Sequence, residues 1–352
     1  MGKVKKRAFK VERTAAWLIV LAIFIFCLNY FSTFLQPVLI AVMIWYSIYE
    51  MKRLLERVKI KGKTLPTWLR TVVAMLVILL VTVGIYQIIT LNLELIINKS
   101  PEYAANFKSM IDELSKIEWL SNIQGVFINL ENFNIQPMLT GFLNSLTSIA
   151  GNIVVIAIYV AFLLAEEKFF YKKLLAVSIS SRQQKKLDTV IEQVTEAIRK
   201  YMSIKTQMSL LTGVLGYIVL ILFGVDFPVL WAFLIFLLNY IPYVGSFIAT
   251  LLPAVFAMFQ FQSFLMMIWI FITVQVVQML TGNVLEPKLM GRTLNLSPLG
   301  VMLALTFWGV IWGVLGMFLS VPITSVMLIT FSRFDSTRPI AIWLSETGEL
   351  DY

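Results

Sequence analysis

Between Thr206 and Thr330 the chain carries only four full charges, Asp226, Glu286, Lys288 and Arg292. A charged side chain at the centre of a membrane helix costs about 2.5–3.5 kcal/mol on insertion scales, so any retained in so apolar a stretch is a candidate for chemistry. Glu286 comes first, because a carboxylate on a membrane pathway binds a cation or carries a proton. The competing reading is local: Glu286 simply pairs with Lys288 or Arg292 in a polar loop. Lys288 and Arg292 are four apart and share a face if the segment is helical. They either attract an anionic or hydroxyl-rich solute or hold the loop at lipid headgroups.

Amides are the second group. Asn239 opens Asn239-Tyr240-Ile241-Pro242-Tyr243-Val244-Gly245, which interrupts an apolar run. Pro242 frees backbone carbonyls and Asn239 offers both a donor and an acceptor. That combination suits a cation or a polar solute; the alternative is that Asn239 only caps a broken helix. Pro242 and Gly245 shape the break. Gln275 and Gln278, three apart, share a helical face and either line a polar path or hydrogen-bond between helices.

What is missing narrows the chemistry. The 352-residue chain has no histidine and one cysteine, Cys27, which removes imidazole metal sites, histidine acid–base catalysis and an intrachain disulfide. No Gly-rich loop ends in Gly-Lys-Ser or Gly-Lys-Thr, and neither HExxH nor GxSxG occurs, so ATP-driven transport and intramembrane hydrolysis are disfavoured. No cofactor and no metal are expected, and the chain is not read as an enzyme. The net charge of +9 sits in short clusters between apolar runs, the pattern of cytoplasmic loops, so nucleic acid is not an expected partner.

The elements that must position these groups are membrane helices. Hydrophobic residues make up 59% of the chain and charged ones 14%, against about 25% charged in soluble domains. Mean hydropathy is +0.83, and apolar runs of membrane length recur. Span 1 is expected from Thr14 to Phe34, uncleaved, and span 2 from the Gln36-Pro37 interruption to Tyr49, the two forming a tight hairpin. The basic N-terminus and the cluster from Lys52 to Arg70 are read as cytoplasmic. Span 3 covers Thr71 to Leu91. Asn92 to Thr140 is poor in basic residues and is placed outside, with Ser100-Pro101-Glu102 reading as a helix start. Span 4 covers Thr147 to Ala165 and closes at Glu166-Glu167-Lys168. A separate amphipathic helix follows on the stripe Leu187, Val190, Ile191, Val194, Ile198 and Tyr201. Span 5 runs from Leu210 to Val225.

Beyond it, Val229–Phe261 and Leu299–Phe331 are apolar runs of 33 residues, each interrupted near its middle. Each is either one kinked span or a re-entrant hairpin, giving eight or six crossings; in transporters such broken segments point to the substrate site. The expected fold is an all-α polytopic membrane protein of about eight membrane segments. It divides into residues 1–91 (three helices), 92–140 (external helical segment), 141–205 (span 4 and the amphipathic helix), 206–332 (transport core) and 333–352 (cytoplasmic tail).

The Asn239–Gly245 motif with Pro253 downstream, the run Asn283-Val284-Leu285-Glu286-Pro287-Lys288-Leu289-Met290-Gly291-Arg292, then Leu296-Ser297-Pro298 and the Gly313, Gly316, Pro322 series resemble the AI-2E transporter family. The likeness spans nearly the whole chain and is strongest from about 200 to 332. Ser246 stands where many members have proline. The resemblance implies about eight membrane segments, cytoplasmic termini, a bacterial inner membrane and a role in moving a small solute, among them export of autoinducer-2 or cation–proton antiport. It adds Asn283 to the expected pathway.

Three functions compete on this footing: export of a small polar solute, sodium or potassium–proton antiport at Glu286, and a non-transporting scaffold with the external segment as its surface. The expected partners are the lipid bilayer, a small polar solute or a monovalent cation and proton, and further copies of the chain in a homo-oligomer.

Overall fold

A computed structural model describes residue 16 and residues 18–56, 59–60, 63–115, 152–176, 181–291 and 294–350. The described chain is almost wholly helical. Helix α1 is Leu18–Tyr30, α2 Ser32–Glu56, α3 Thr67–Ser115, α4 Ile153–Ala176, α5 Ser181–Leu222, α6 Pro228–Leu238, α7 Val244–Phe261 and α8 Phe264–Gln278. A π-helical segment, Met279–Leu285, leads into α9 (Glu286–Met290), followed by α10 (Pro298–Ser332) and α11 (Arg338–Leu344). A small antiparallel pair, β1 (Lys59–Ile60) with β2 (Lys63–Thr64), links α2 to α3. Among the described residues, six helices are long and apolar enough to cross a membrane by length and composition.

Both broken runs are hairpins. Helix α6 has 11 residues, about 17 Å of helix, roughly half of a 30 Å hydrocarbon core. The chain then turns at Asn239–Tyr243 and α7 returns alongside α6: Trp231 and Phe227 hold their rings 5.1 and 5.8 Å from Phe256. At the base of this first hairpin the Gln260 amide accepts from the Asp226 N–H and donates to the Gly224 carbonyl, both at 2.8 Å. The second hairpin lies inside α10. Gly313, at φ 62° and ψ −140°, breaks the helix, and Trp308 Nε1 donates to Thr324 Oγ1 at 3.3 Å. Sixteen residues of straight helix would hold those two about 24 Å apart.

A glycine makes each crossing possible. A Cβ on Gly245 would come within 1.9 Å of the Leu238 carbonyl oxygen, and one on Gly316 within 1.9 Å of the Trp308 carbonyl oxygen. The hairpins enter from opposite ends. The base of the first meets the far end of α3 through Lys99, Tyr103 and Asn106. The base of the second meets the early part of α5, where Arg333 donates to Gln193 at 2.5 Å. Between Gln193 and Leu220, which packs in the core of the first hairpin, α5 spans roughly 40 Å. The two folds meet where Tyr240 stacks on Phe318 at 4.6 Å.

Several expectations are corrected. The first two spans do not form a hairpin at Gln36-Pro37: Pro37 lies inside α2, and the only interruption is Phe31. Helical bonds continue on both sides of it, from Phe31 N–H to the Cys27 carbonyl and from Leu35 N–H to the Phe31 carbonyl, leaving no room for a reversal. Ile25, Leu28, Leu35 and Leu39 accordingly share one face, packed on the Trp308–Trp312 arm. Ser100-Pro101-Glu102 does not start a helix; α3 runs through it to Ser115. Proline removes one backbone bond, and the segment beyond it is held instead by Tyr103, buried against Phe256 at 4.9 Å. Helix α4 continues past Glu166-Glu167-Lys168, with Glu167 satisfied by Lys52 at 2.8 Å. The amphipathic stripe and span 5 are one helix, α5. The divisions after Leu91 and Lys205 thus fall within continuous helices. Residues 116–140 of the external segment lie outside the described residues, as does the start of span 4.

Two cores result. Ala41, Ile48, Ala74, Ile156 and Val160 join α2, α3 and α4. Leu220, Leu230, Ile235, Ala254, Ile270 and Val274 join α5, the first hairpin and α8. Small residues at such contacts bring helices close, which is what packs apolar helices where lipid removes the hydrophobic gain.

Candidate functional site

The tip of the first hairpin overhangs a cavity of about 410 Å³. Its roof is Asn239, Ile241, Pro242 and Tyr243; its wall is the π segment and α9; α5 and the arms of the second hairpin complete it. Pro242 and Gly245 explain the roof: proline ends the helical bonding, and glycine lets α7 leave across the end of α6. Tyr243 sits at φ 57°, a left-handed backbone that side chains rarely adopt and that tends to persist at functional sites. The π segment widens the helix at the cavity wall, a device that also recurs at such sites.

A polar seam runs down α5 into this cavity. Lys205, Ser209 and Thr212 share a face at helical spacing. Lys205 Nζ donates to both oxygens of Glu286, at 2.8 and 3.0 Å. Asn239 Nδ2 donates to Ser209 Oγ at 3.0 Å, the hydroxyls of Thr212 and Thr281 meet at 2.8 Å, and Tyr240 OH donates to Thr206 at 2.8 Å. The Lys205 and Glu286 side chains are only 6% and 14% exposed. Gln278 is 3% exposed, lines the cavity, and neither of its amide atoms finds a partner among the described residues. An unmet buried polar atom costs about 1–3 kcal/mol, so its retention points to a ligand.

Of the residues expected from sequence, Asn239, Pro242, Gln278, Asn283 and Glu286 line the cavity together. Gly245 packs behind the tip. Gln275 lies one turn along α8, off the cavity, with its buried Oε1 unpartnered. Lys288 is exposed, and Arg292 lies outside the described residues. Among the described residues Glu286 pairs with Lys205, on a different helix, rather than with Lys288. Lys205, Tyr201, Ser209 and Glu346 also belong here and were not among the residues expected from sequence. The available signal was the 205, 209, 212 spacing of polar residues on an otherwise apolar helix.

A second polar cluster stands at the other end. Lys99 Nζ and Tyr103 OH both donate to Asp226 Oδ2, at 2.8 and 2.7 Å, tying α3 to the base of the first hairpin. Asp226 lies in the loop between α5 and α6. Burial pushes its carboxyl up, but the hydrogen bonds from Lys99 and Tyr103 outweigh this and hold it below the ordinary aspartate range. Burial, with Asp226 beside it, pushes the Tyr103 phenol up.

Comparison with known proteins fits this architecture. The family model described as AI-2E family transporter matches residues 17–335. A Borreliella burgdorferi protein whose name gives transport but no cargo is 30% identical over 345 residues, covering 96% of this chain and 92% of its own. A similarly named Haemophilus influenzae protein is 30% identical, covering 82% of this chain and 84% of its own. The Escherichia coli AI-2 transport protein TqsA is 29% identical, covering 71% and 72%. With the match running through both hairpins and the polar cavity between them, this multi-pass bacterial membrane protein belongs to the AI-2E transporter family.

Proposed function

We propose that the chain is a secondary transporter that exports a small, uncharged polar solute, autoinducer-2-like in its polarity, through the cavity beneath the first hairpin. The observation that carries this reading is Gln278, a buried amide with a free donor and a free acceptor on the cavity wall. The cavity's volume of about 410 Å³ lies within the roughly 300–1,000 Å³ of small-molecule sites. Lys205 already balances Glu286, which favours an uncharged cargo over an ionic one. One relative bears the name of an AI-2 transport protein, in keeping with a small oxygen-rich solute. With no nucleotide-binding loop in the sequence, a gradient drives the movement. The positive-inside rule puts the base of the second hairpin and both termini in the cytoplasm.

Labelled autoinducer-2 in everted membrane vesicles tests this. Vesicles with the wild-type chain should accumulate it, and Gln278→Leu, at equal membrane level, should lower the initial rate about 10- to 100-fold, the cost of one to two lost hydrogen bonds. Wild-type vesicles no better than empty ones would reject this cargo. Undiminished flux in Gln278→Leu would reject the cavity as its path. A second reading, exchange of sodium or potassium for protons, draws on the burial of the Glu286 carboxylate. In proteoliposomes holding a pH gradient it requires cation-triggered collapse that Glu286→Gln abolishes.

A further inference from the structure

The Lys205–Glu286 pair bears on what powers the carrier. Glu286 is a nearly buried carboxylate on the cavity wall, and Gln278, which lines the same cavity, offers a carbonyl oxygen that no donor among the described residues meets. Carboxylate and amide oxygens lining one cavity are what a monovalent cation needs, since hard cations bind oxygen. That place is taken. Lys205 Nζ lies 2.8 and 3.0 Å from the two Glu286 oxygens, a compact point charge on a flexible stem. Both members come from helices that build the cavity, α5 and α9, and the two residues lie 81 positions apart in sequence.

We infer that Lys205 is a built-in counter-ion, a tethered cation standing where a free coupling cation would otherwise bind. The pair carries no net charge, so the site neither needs nor takes sodium or potassium, and the carrier follows the gradient of its solute. Glu346, the other charged residue among those described on the cavity wall, enters from the chain's C-terminal segment; among the described residues the Lys205 ammonium donates hydrogen bonds to Glu286 alone. Removing the ammonium leaves a buried carboxylate with unmet charge, and a free cation then becomes the cheapest way to balance it. This inference rests on the cavity being the solute path, but its test needs no solute, so its failure would leave that reading to the vesicle experiment.

The test is thermal unfolding of the full-length detergent-purified protein in sodium, potassium or N-methylglucamine chloride at equal ionic strength. The wild type should melt at the same temperature in all three. Lys205→Met should melt lower than wild type in N-methylglucamine and regain several degrees in sodium or potassium, because a ligand that binds only the folded state raises its stability. The double variant Lys205→Met/Glu286→Gln should again be indifferent to the cation. A wild type stabilised by sodium or potassium, with the effect lost in Glu286→Gln, overturns the inference. So does a folded Lys205→Met with one melting temperature in all three salts. Should Lys205→Met not fold in N-methylglucamine, Lys205→Gln keeps a polar head in its place and is read in the same way. A chain that neither variant lets fold even in sodium and potassium also counts against the inference, since a cation in the vacated place should restore the charge balance.

Discussion

The two hairpins are alike in sequence and opposite in use. Each comes from a 33-residue apolar run, each crosses at a glycine that leaves no space for a Cβ, and each has a proline inside its returning arm, Pro253 and Pro322. The first turns over five non-helical residues and presents Asn239 and Pro242 to a polar cavity. The second turns at the single residue Gly313 and presents Trp308 and Trp312 to α1 and α2, where Trp312 Nε1 donates to the Leu28 carbonyl at 3.1 Å. One tip borders a polar cavity and the other is packed against neighbouring helices. A break in a membrane helix shows that its backbone groups are met somewhere, but whether by solute, water or protein depends on what the tip faces.

The comparison is broken most severely at the crossings. Gly245→Ala and Gly316→Ala each drive a methyl into a backbone carbonyl that cannot rotate away. Each should cost about 3 kcal/mol or more, the upper range of overpacking, and remove most of the monodisperse protein on size exclusion. Equal, near-wild-type recovery of both variants would mean that neither run is a hairpin.

The next effect separates the two ends of the molecule. Lys205 and Lys99 each pair with a carboxylate at 2.8 Å, but Lys205 is 6% exposed and Lys99 is 47% exposed. Lys205→Met should therefore cost about 3–5 kcal/mol, and Lys99→Met about 0–1 kcal/mol, by denaturant or thermal titration in a cation-free buffer. Similar costs would contradict the burial difference.

Gly313→Ala sharpens the contrast between the turns. Nothing lies within 4 Å of the added methyl, so the cost is backbone strain alone, at φ 62°, of about 1–3 kcal/mol. Flux should change little, because the second tip is an anchor. In the first hairpin Tyr243 already tolerates φ 57°, and Tyr243→Gly should stabilise the fold while lowering flux.

The smallest effect is a pH dependence at the base of the first hairpin. The Asp226 carboxyl is held below its ordinary value, so its contribution is fully present above about pH 4, the unfolded aspartate range, and is lost as pH falls through the lower folded value. Wild type should be slightly more stable than Asp226→Asn at neutral pH, and the two should converge in acid. A gap that widens in acid would reverse the sign and reject the cluster as drawn.

Much of this was legible in the residues. Composition and run length gave an all-helical membrane fold, Asn239–Gly245 marked the first break and the Gly309, Gly313, Gly316 and Pro322 series the region of the second, and five cavity residues were identified by type. Cues at single positions misled where neighbouring contacts overruled them. Pro37 and Pro101 read as boundaries, yet helices pass through both, because a proline removes one hydrogen bond while packing and anchors on either side hold the helix. Lys205 was not singled out, because its charge resembled those of the basic segment before it.

The sequence by itself determined which segments are helical and apolar and where their backbones can bend, since propensity, proline and glycine act within a few residues. Only the tertiary structure decided that the bends are reversals, that the hairpins enter from opposite ends, and that Glu286 meets Lys205 across 81 residues. The reason is physical. In water, the spacing of apolar residues shows which face of a helix is buried. In lipid, the outside is as apolar as the inside, so the same spacing cannot distinguish a spanning helix from a folded one or an inward face from an outward one.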